Sequence, residues 1–185
     1  MLDRIRLLVL DVDGVLTDGR IVYDSAGAET KAFSAADGQG LKYWLRAGHQ
    51  AAILTGRDSA TVGRRAEELG ISLVRTGAKD KRPAFEEILE EADCTAAEAC
   101  AVGDDLPDLP VLARAGLAVA VPDAPEEVRR VAHVVTRAAG GAGAVRETIE
   151  LILRYQDRWD GVTQRYEDDL PGHLPDARRP WRARS

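Results

Sequence analysis

Asp11 and Asp13 stand two residues apart at the end of the apolar run Leu7–Leu10, with Gly14 directly after them. Neighbouring carboxylates at the end of a buried strand are tolerated only when paired or bound to a cation. Two further apolar runs also end in polar groups: Ala51–Leu54 in Thr55 and Arg57, and Ala99–Val102 in Asp104 and Asp105. In a parallel sheet such ends share one edge, where open α/β folds place their ligands. Lys79 and Lys81 follow a third apolar run, and either one reaches the same edge. Crowded carboxylates raise one another's pKa unless a cation neutralises them. A site rich in oxygen with few protein ligands suits Mg²⁺, which keeps several waters. A phosphate completes such a shell, with Thr55, an amide at a helix start and Lys81 as donors to its oxygens. A carboxylate beside a phosphate admits attack on phosphorus. The cation offsets the repulsion between the two anions. A second acid protonates the leaving oxygen and then activates water.

The elements that must position these groups read as strands alternating with helices. Continuous apolar runs at Leu7–Leu10, Ala51–Gly56, Ile71–Val74, Ala99–Val102 and Leu117–Val121 read as buried parallel strands, with His133–Val135 a short last one. Helices are expected over Asp37–Ala47, from Asp58 or Ser59 to Leu69, over Ala84–Glu91 behind Pro83, through Leu112, over Glu126–Ala132, and from Ala144 to about Trp159. Thr95 and Glu98 have capping-box spacing. The pattern predicts an α/β three-layer sandwich with a central parallel sheet. Directly after the acids, Ile21–Tyr23 and Thr30–Phe33 flank the turn residues Asp24–Gly27 and predict a β-hairpin inserted after the first strand. A lone hairpin is marginally stable and needs a partner surface, such as a neighbouring subunit. The division expected is one domain over residues 1–160, with a hairpin flap at about 19–34, and a C-terminal tail over 161–185 without a core of its own.

Composition narrows the function classes. A net charge of −6 argues against a nucleic-acid partner. No apolar run approaches the ~20 residues of a membrane span, and the N-terminus lacks the pattern of a signal peptide. Cys94 and Cys100 lack metal-ligand spacing and read as two reduced thiols, pointing to the cytoplasm. His49, His133 and His173 are scattered and receive no role.

Asp11-Val12-Asp13-Gly14-Val15, Thr55, Lys81 and Gly103-Asp104-Asp105 with Asp108 resemble, in order, the four motifs of the haloacid dehalogenase superfamily. The stretches DVDGVLTDG, KAFSAADGQGLK, ILTGR, VGDDLPDLPVL and AGGAGAVRE are similar to its small capless branch, which acts on 3-deoxy-D-manno-octulosonate 8-phosphate, and the likeness runs from Leu7 to Leu153. The resemblance implies a Rossmann-like fold and a Mg²⁺-dependent phosphatase of sugar-acid phosphates working through an aspartyl-phosphate. It makes Asp11 the nucleophile and Asp13 the general acid/base. The metal ligands it implies are Asp11, Asp104 and the backbone carbonyl of Asp13. Thr55 and Lys81 would hold the phosphate, while Asp105 and Asp108 would orient the metal shell. Arg57 and Gly143 fall where that branch contacts substrate. The branch forms homotetramers in which the hairpin helps close a neighbour's active site. Arg57 favours the octulosonate substrate over nine-carbon sialic-type 9-phosphates, whereas Ala142 matches neither pattern. The competing readings are a phosphatase of those nine-carbon substrates, a non-catalytic assembly protein with the same fold, and a phosphotransferase, which would require a water-excluding cap that the chain has no room for.

Overall fold

The structure, a computed structural model, describes residues 2–167. In chain order its elements are β1 (Leu7–Leu10), β2 (Val22–Tyr23), β3 (Glu29–Thr30), α1 (Ala35–Arg46), β4 (Gln50–Leu54), α2 (Ala60–Leu69), β5 (Leu73–Arg75), α3 (Lys81–Glu91), β6 (Ala99–Gly103), α4 (Leu109–Leu112), β7 (Leu117–Ala120), α5 (Glu126–Val131), β8 (Val134–Val135), α6 (Ala144–Tyr155) and α7 (Trp159–Glu167). Six strands form one parallel sheet in the order β5-β4-β1-β6-β7-β8. The α/β sandwich expected from the alternating pattern is present.

β1 is buried along its whole length because helices cover both faces of the sheet. α1 packs on α6, α2 and β4, while α4 contacts both α3 and α5, and these three lie against the strands β4 to β7. Trp44 and Phe85 are the largest fully buried side chains, and Trp44 also donates its indole N–H to the Gln50 carbonyl at 2.6 Å. The chain builds outward from β1 through β4 to β5, then returns to β6 on the other side of β1 and continues to β8. Strand order therefore reverses between β1 and β6, and an open α/β sheet offers a crevice at such a reversal.

Several boundaries differ from the sequence expectation. The helix expected from Ala84 begins at Lys81, because the Asp80 carboxylate caps it by accepting from the Arg82 amide at 3.1 Å. Pro83 then lies in the first turn, where a missing N–H costs nothing. The hairpin strands are only two residues each, and the second is Glu29–Thr30 rather than Thr30–Phe33. The expected last helix is two: Asp157 takes a left-handed backbone at φ 54°, and α7 starts at Trp159. α7 runs straight across Gly161, where a tail was expected to begin, and its Trp159 meets Tyr43 edge-on with centroids 5.9 Å apart. The remainder of the expected tail, with His173, lies outside the described residues.

Candidate active site

Asp11 follows β1, Thr55 follows β4 and Asp104 follows β6, so three adjacent central strands deliver the chemistry to one edge. Asp11 is held at this edge by its amide, which donates to the Val102 carbonyl of β6 at 3.1 Å. Oxygen atoms of Asp11, Asp104 and Asp108 lie within 4.8 Å of one another. Gly14 makes this approach possible. It sits at φ +101°, and a Cβ there would fall 2.0 Å from Asp104 Oδ2.

Lys81 is the cation of the cluster. Its Nζ lies 2.7 Å from Asp11 Oδ1 and 2.6 Å from Asp108 Oδ1, and the side chain is 6% exposed. Lys79, the alternative before the motifs are considered, is exposed. Burial lowers the Lys81 pKa, but Asp11 and Asp108 outweigh it, so the net shift is upward and the ammonium persists. Burial, then the charge of Asp108, raises Asp11, against the pull of Lys81. Asp108 has both oxygens engaged: Oδ1 by Lys81, and Oδ2 by the amides of Asp104 at 3.0 Å and Asp105 at 3.2 Å. It braces the loop that carries Asp104. Asp105 is exposed and caps the following turn by accepting from the Leu106 amide at 2.8 Å.

Asp104 carries one of the two buried side-chain oxygens without a partner among the described residues, the other being Asp13 Oδ2. Asp104 Oδ1 is buried and accepts no hydrogen bond. Burial, followed by the charge of Asp11, pushes its pKa up to about 8. A buried carboxylate oxygen left unpaired beside a second carboxylate is what a divalent cation site requires. The donor set fits Mg²⁺: all oxygen, anionic and few in number.

The Asp13 side chain turns away from this cluster. Its Oδ1 accepts from Lys31 Nζ at 2.5 Å, and Arg57 Nε lies 3.7 Å from its Oδ2, which accepts no hydrogen bond. The Asp13 carboxylate thus stands apart from the group formed by Asp11, Asp104 and Asp108. Thr55 is 2% exposed, and its hydroxyl accepts from the Arg57 amide at 3.3 Å. Gly143 gives its amide to the buried Asp37 at 3.2 Å, and Asp37 also accepts from the Arg146 amide at 2.8 Å at the start of α6. The loop just before it reaches the site instead: the Gly141 amide donates to the Val15 carbonyl at 2.9 Å, and a Cβ on Gly140 would lie 1.7 Å from the Gly14 oxygen.

The hairpin lies over its own chain's site. Lys31, with its side chain 1% exposed, reaches Asp13, and Glu29 joins Arg57 at 3.0 Å and Ser59 at 2.6 Å. Sequence reasoning passed over Glu29, Lys31 and Ser59. One signal was available: residues two apart on an extended strand share a face, and here that face carries one acid and one base.

The haloacid dehalogenase-like hydrolase family profile matches residues 27–116. The 3-deoxy-D-manno-octulosonate 8-phosphate phosphatase of Yersinia pestis is 45% identical over 159 residues, covering 86% of this chain and 85% of that protein. The crystal structure of the Moraxella catarrhalis enzyme of that name, in complex with magnesium ion, phosphate ion and KDO, superposes with a TM-score of 0.87 at 43% identity, covering 89% of this chain and 95% of that one. The cobalt-bound deoxy-D-mannose-octulosonate 8-phosphate phosphatase of Haemophilus influenzae gives 0.82 at 41% identity over 84% of this chain and 91% of that one. The chain belongs to the haloacid dehalogenase-like hydrolases. Within them it is a phosphoric monoester hydrolase.

Proposed function

We propose that this chain is a Mg²⁺-dependent phosphatase that hydrolyses 3-deoxy-D-manno-octulosonate 8-phosphate through an aspartyl-phosphate. The observation carrying the reading is the unpartnered buried oxygen of Asp104 beside Asp11 and the Lys81 ammonium. Asp11, Asp104 and the Asp13 carbonyl are the proposed metal ligands; when bound, Mg²⁺ supplies charge neutralisation between the nucleophile and the phosphoryl oxygens.

The residues divide the reaction as follows. An Asp11 carboxylate oxygen attacks phosphorus, and the bond from phosphorus to the sugar oxygen breaks. Asp13 passes its proton to that leaving oxygen. Asp13, now ionised, removes a proton from water, whose oxygen attacks phosphorus while the Asp11–phosphorus bond breaks. Phosphate leaves, Asp11 is restored, and Asp13 holds a proton again. Thr55 and Lys81 donate to the phosphoryl oxygens. Arg57, with Nε 3.7 Å from Asp13 Oδ2, takes the sugar-acid carboxylate.

The relatives named above support this substrate. The test is a panel of octulosonate, nine-carbon sialic-type and neutral sugar phosphates with Mg²⁺. Preference for the octulosonate phosphate is expected, and a folded protein inactive on every sugar-acid phosphate refutes the reading. Asp11→Asn is expected to abolish turnover, and full activity in that variant excludes Asp11 as nucleophile.

A homotetramer is proposed as well. Ile21, Val22 and Tyr23 of the hairpin are 39%, 49% and 59% exposed, an apolar strip of the kind that subunit contacts cover. Light scattering that returns a monomer mass overturns it. The free thiols of Cys94 and Cys100 accord with a cytoplasmic setting. No helix among the described residues is long and apolar enough to cross a membrane.

A further inference from the structure

The flap carries a carboxylate of its own into the place where the substrate's carboxylate is proposed to bind. Both oxygens of Glu29 are taken up. Oε1 lies 3.0 Å from Arg57 Nη2 and 3.4 Å from Lys31 Nζ, and Oε2 accepts from Ser59 Oγ at 2.6 Å. One guanidinium, one ammonium and one hydroxyl thus converge on a single carboxylate. Tyr23, from the other hairpin strand, adds its hydroxyl, which accepts from the same Arg57 nitrogen at 3.2 Å. The donors come from separate places: Arg57 and Ser59 from the loop after β4, and Lys31 from the hairpin. The Ser59 hydrogen bond lowers the Glu29 pKa most; burial opposes it, and Arg57 and Lys31 add to the lowering, so the net shift keeps Glu29 ionised.

A receptor built for a carboxylate is specific for the group and indifferent to which molecule carries it. Ser59 has a single hydroxyl proton, and the two protons of Arg57 Nη2 are directed at Glu29 and Tyr23, so a second carboxylate competes with Glu29 for these donors. We infer that Glu29 is an internal stand-in for the substrate carboxylate: it occupies the Arg57–Ser59 subsite in the free enzyme and is displaced when a sugar acid binds. This rests on the proposed sugar-acid substrate. It makes Glu29 a specificity-determining residue. A phosphate monoester lacking a carboxylate leaves the latch closed, whereas a sugar acid takes Arg57 and Ser59 and frees the flap. The cost of opening appears as a weakened apparent affinity, in proportion to the fraction of time the subsite is vacant.

Calorimetric titration of 3-deoxy-D-manno-octulosonate, the free acid without phosphate, into the Mg²⁺-supplied full chain tests this without depending on turnover. Glu29→Gln keeps a neutral acceptor for Ser59 and removes the competing charge. Glu29→Ala removes both, and its circular dichroism spectrum reports whether the fold is retained. Either variant is expected to bind the free acid about three- to tenfold more tightly than wild type, with no comparable gain for an uncharged octitol. Equal or weaker binding of the acid in both variants, absence of binding in wild type and variants alike, or an equal gain for the octitol overturns the inference. The substrate panel is read separately: inactivity on sugar-acid phosphates refutes the proposed substrate, while the ratio of dissociation constants decides the role of Glu29.

Discussion

The Lys81 ammonium bridges two acids from different strands' ends, 2.7 Å from Asp11 and 2.6 Å from Asp108. Asp11 continues from β1 and Asp108 from the loop after β6, so one ammonium fixes the spacing of the proposed nucleophile and the loop that carries Asp104. Removing one member of a buried ion pair leaves the other charge uncompensated, which is costlier than the pair itself was worth. Lys81→Met is therefore expected to lose about 3–5 kcal/mol of stability in chelator. Added Mg²⁺ should restore part of it by neutralising the same acids. Denaturant unfolding with and without Mg²⁺ measures both; an unchanged midpoint in chelator contradicts the bridging role.

Asp104 presents the opposite case. Its unpartnered oxygen stands close to Asp11 and costs stability while no cation is present. With its pKa raised to about 8, Asp104 is ionised in the metal-free protein only above that pH, and there Asp104→Asn removes the charge at nearly constant shape. The metal-free variant is expected to be more stable than the metal-free wild type by about 0.5–2 kcal/mol, yet to gain nothing from Mg²⁺ and to lose activity. Paired melting curves in chelator and in Mg²⁺ check this, and a variant that Mg²⁺ still stabilises shows that Asp104 is not a ligand.

Gly14 is required for two reasons that act together, a positive φ and the proximity of Asp104. Gly14→Ala is expected to cost about 1–3 kcal/mol in backbone strain and to push the Asp104 carboxylate from its place. The Mg²⁺ concentration giving half-maximal activity should rise by tenfold or more, on the order of the 1.4 kcal/mol that such a factor represents. A metal titration of activity that overlays the wild-type curve excludes the steric argument.

His49 supplies a pH dependence far from the acids. It stacks on Trp44 with centroids 4.1 Å apart, and Nε2 lies 3.0 Å from Gln156 Oε1. Gln156 in turn donates to the Leu2 and Ile5 carbonyls at 2.9 and 2.8 Å. Burial, then the charge of Arg158, lowers the His49 pKa below 6.5, while Gln156 opposes the shift. As pH falls below about 6.5 the unfolded chain takes up a proton that the folded chain refuses, so stability drops on acidification. His49→Phe should flatten the loss between pH 7.5 and 5.5 by on the order of 1 kcal/mol. Melting temperatures at the two pH values, compared between wild type and variant, decide it; equal slopes would remove His49 from the account.

The parts of this architecture legible in the sequence are those encoded locally. An apolar run such as Leu7–Leu10 announces a buried strand, and an acid at its end announces the site edge. Asp11, Thr55, Lys81 and Asp104 all belong to such ends or to the helix start that faces them. What escaped depends on chain reversals that no local pattern specifies. The docking of Glu29 and Lys31 is decided by where a hairpin with two-residue strands folds back. The break at Asp157 rests on one left-handed residue, and there the Arg158 amide returns to the Leu153 carbonyl at 2.8 Å. The start of α3 was misplaced because Pro83 signals a helix start strongly, whereas the Asp80 cap three residues earlier is a weaker signal.

The hairpin leaves the core after Asp18 and returns to it at Ser34, a single uninterrupted excursion, and it meets the reacting edge through a few side-chain ends. Asp11, Thr55 and Asp104 lie elsewhere, at the ends of three strands that the excursion does not interrupt. The excursion and the reacting edge are thus separate stretches of the chain, one carrying Glu29 and Lys31, the other Asp11, Thr55 and Asp104.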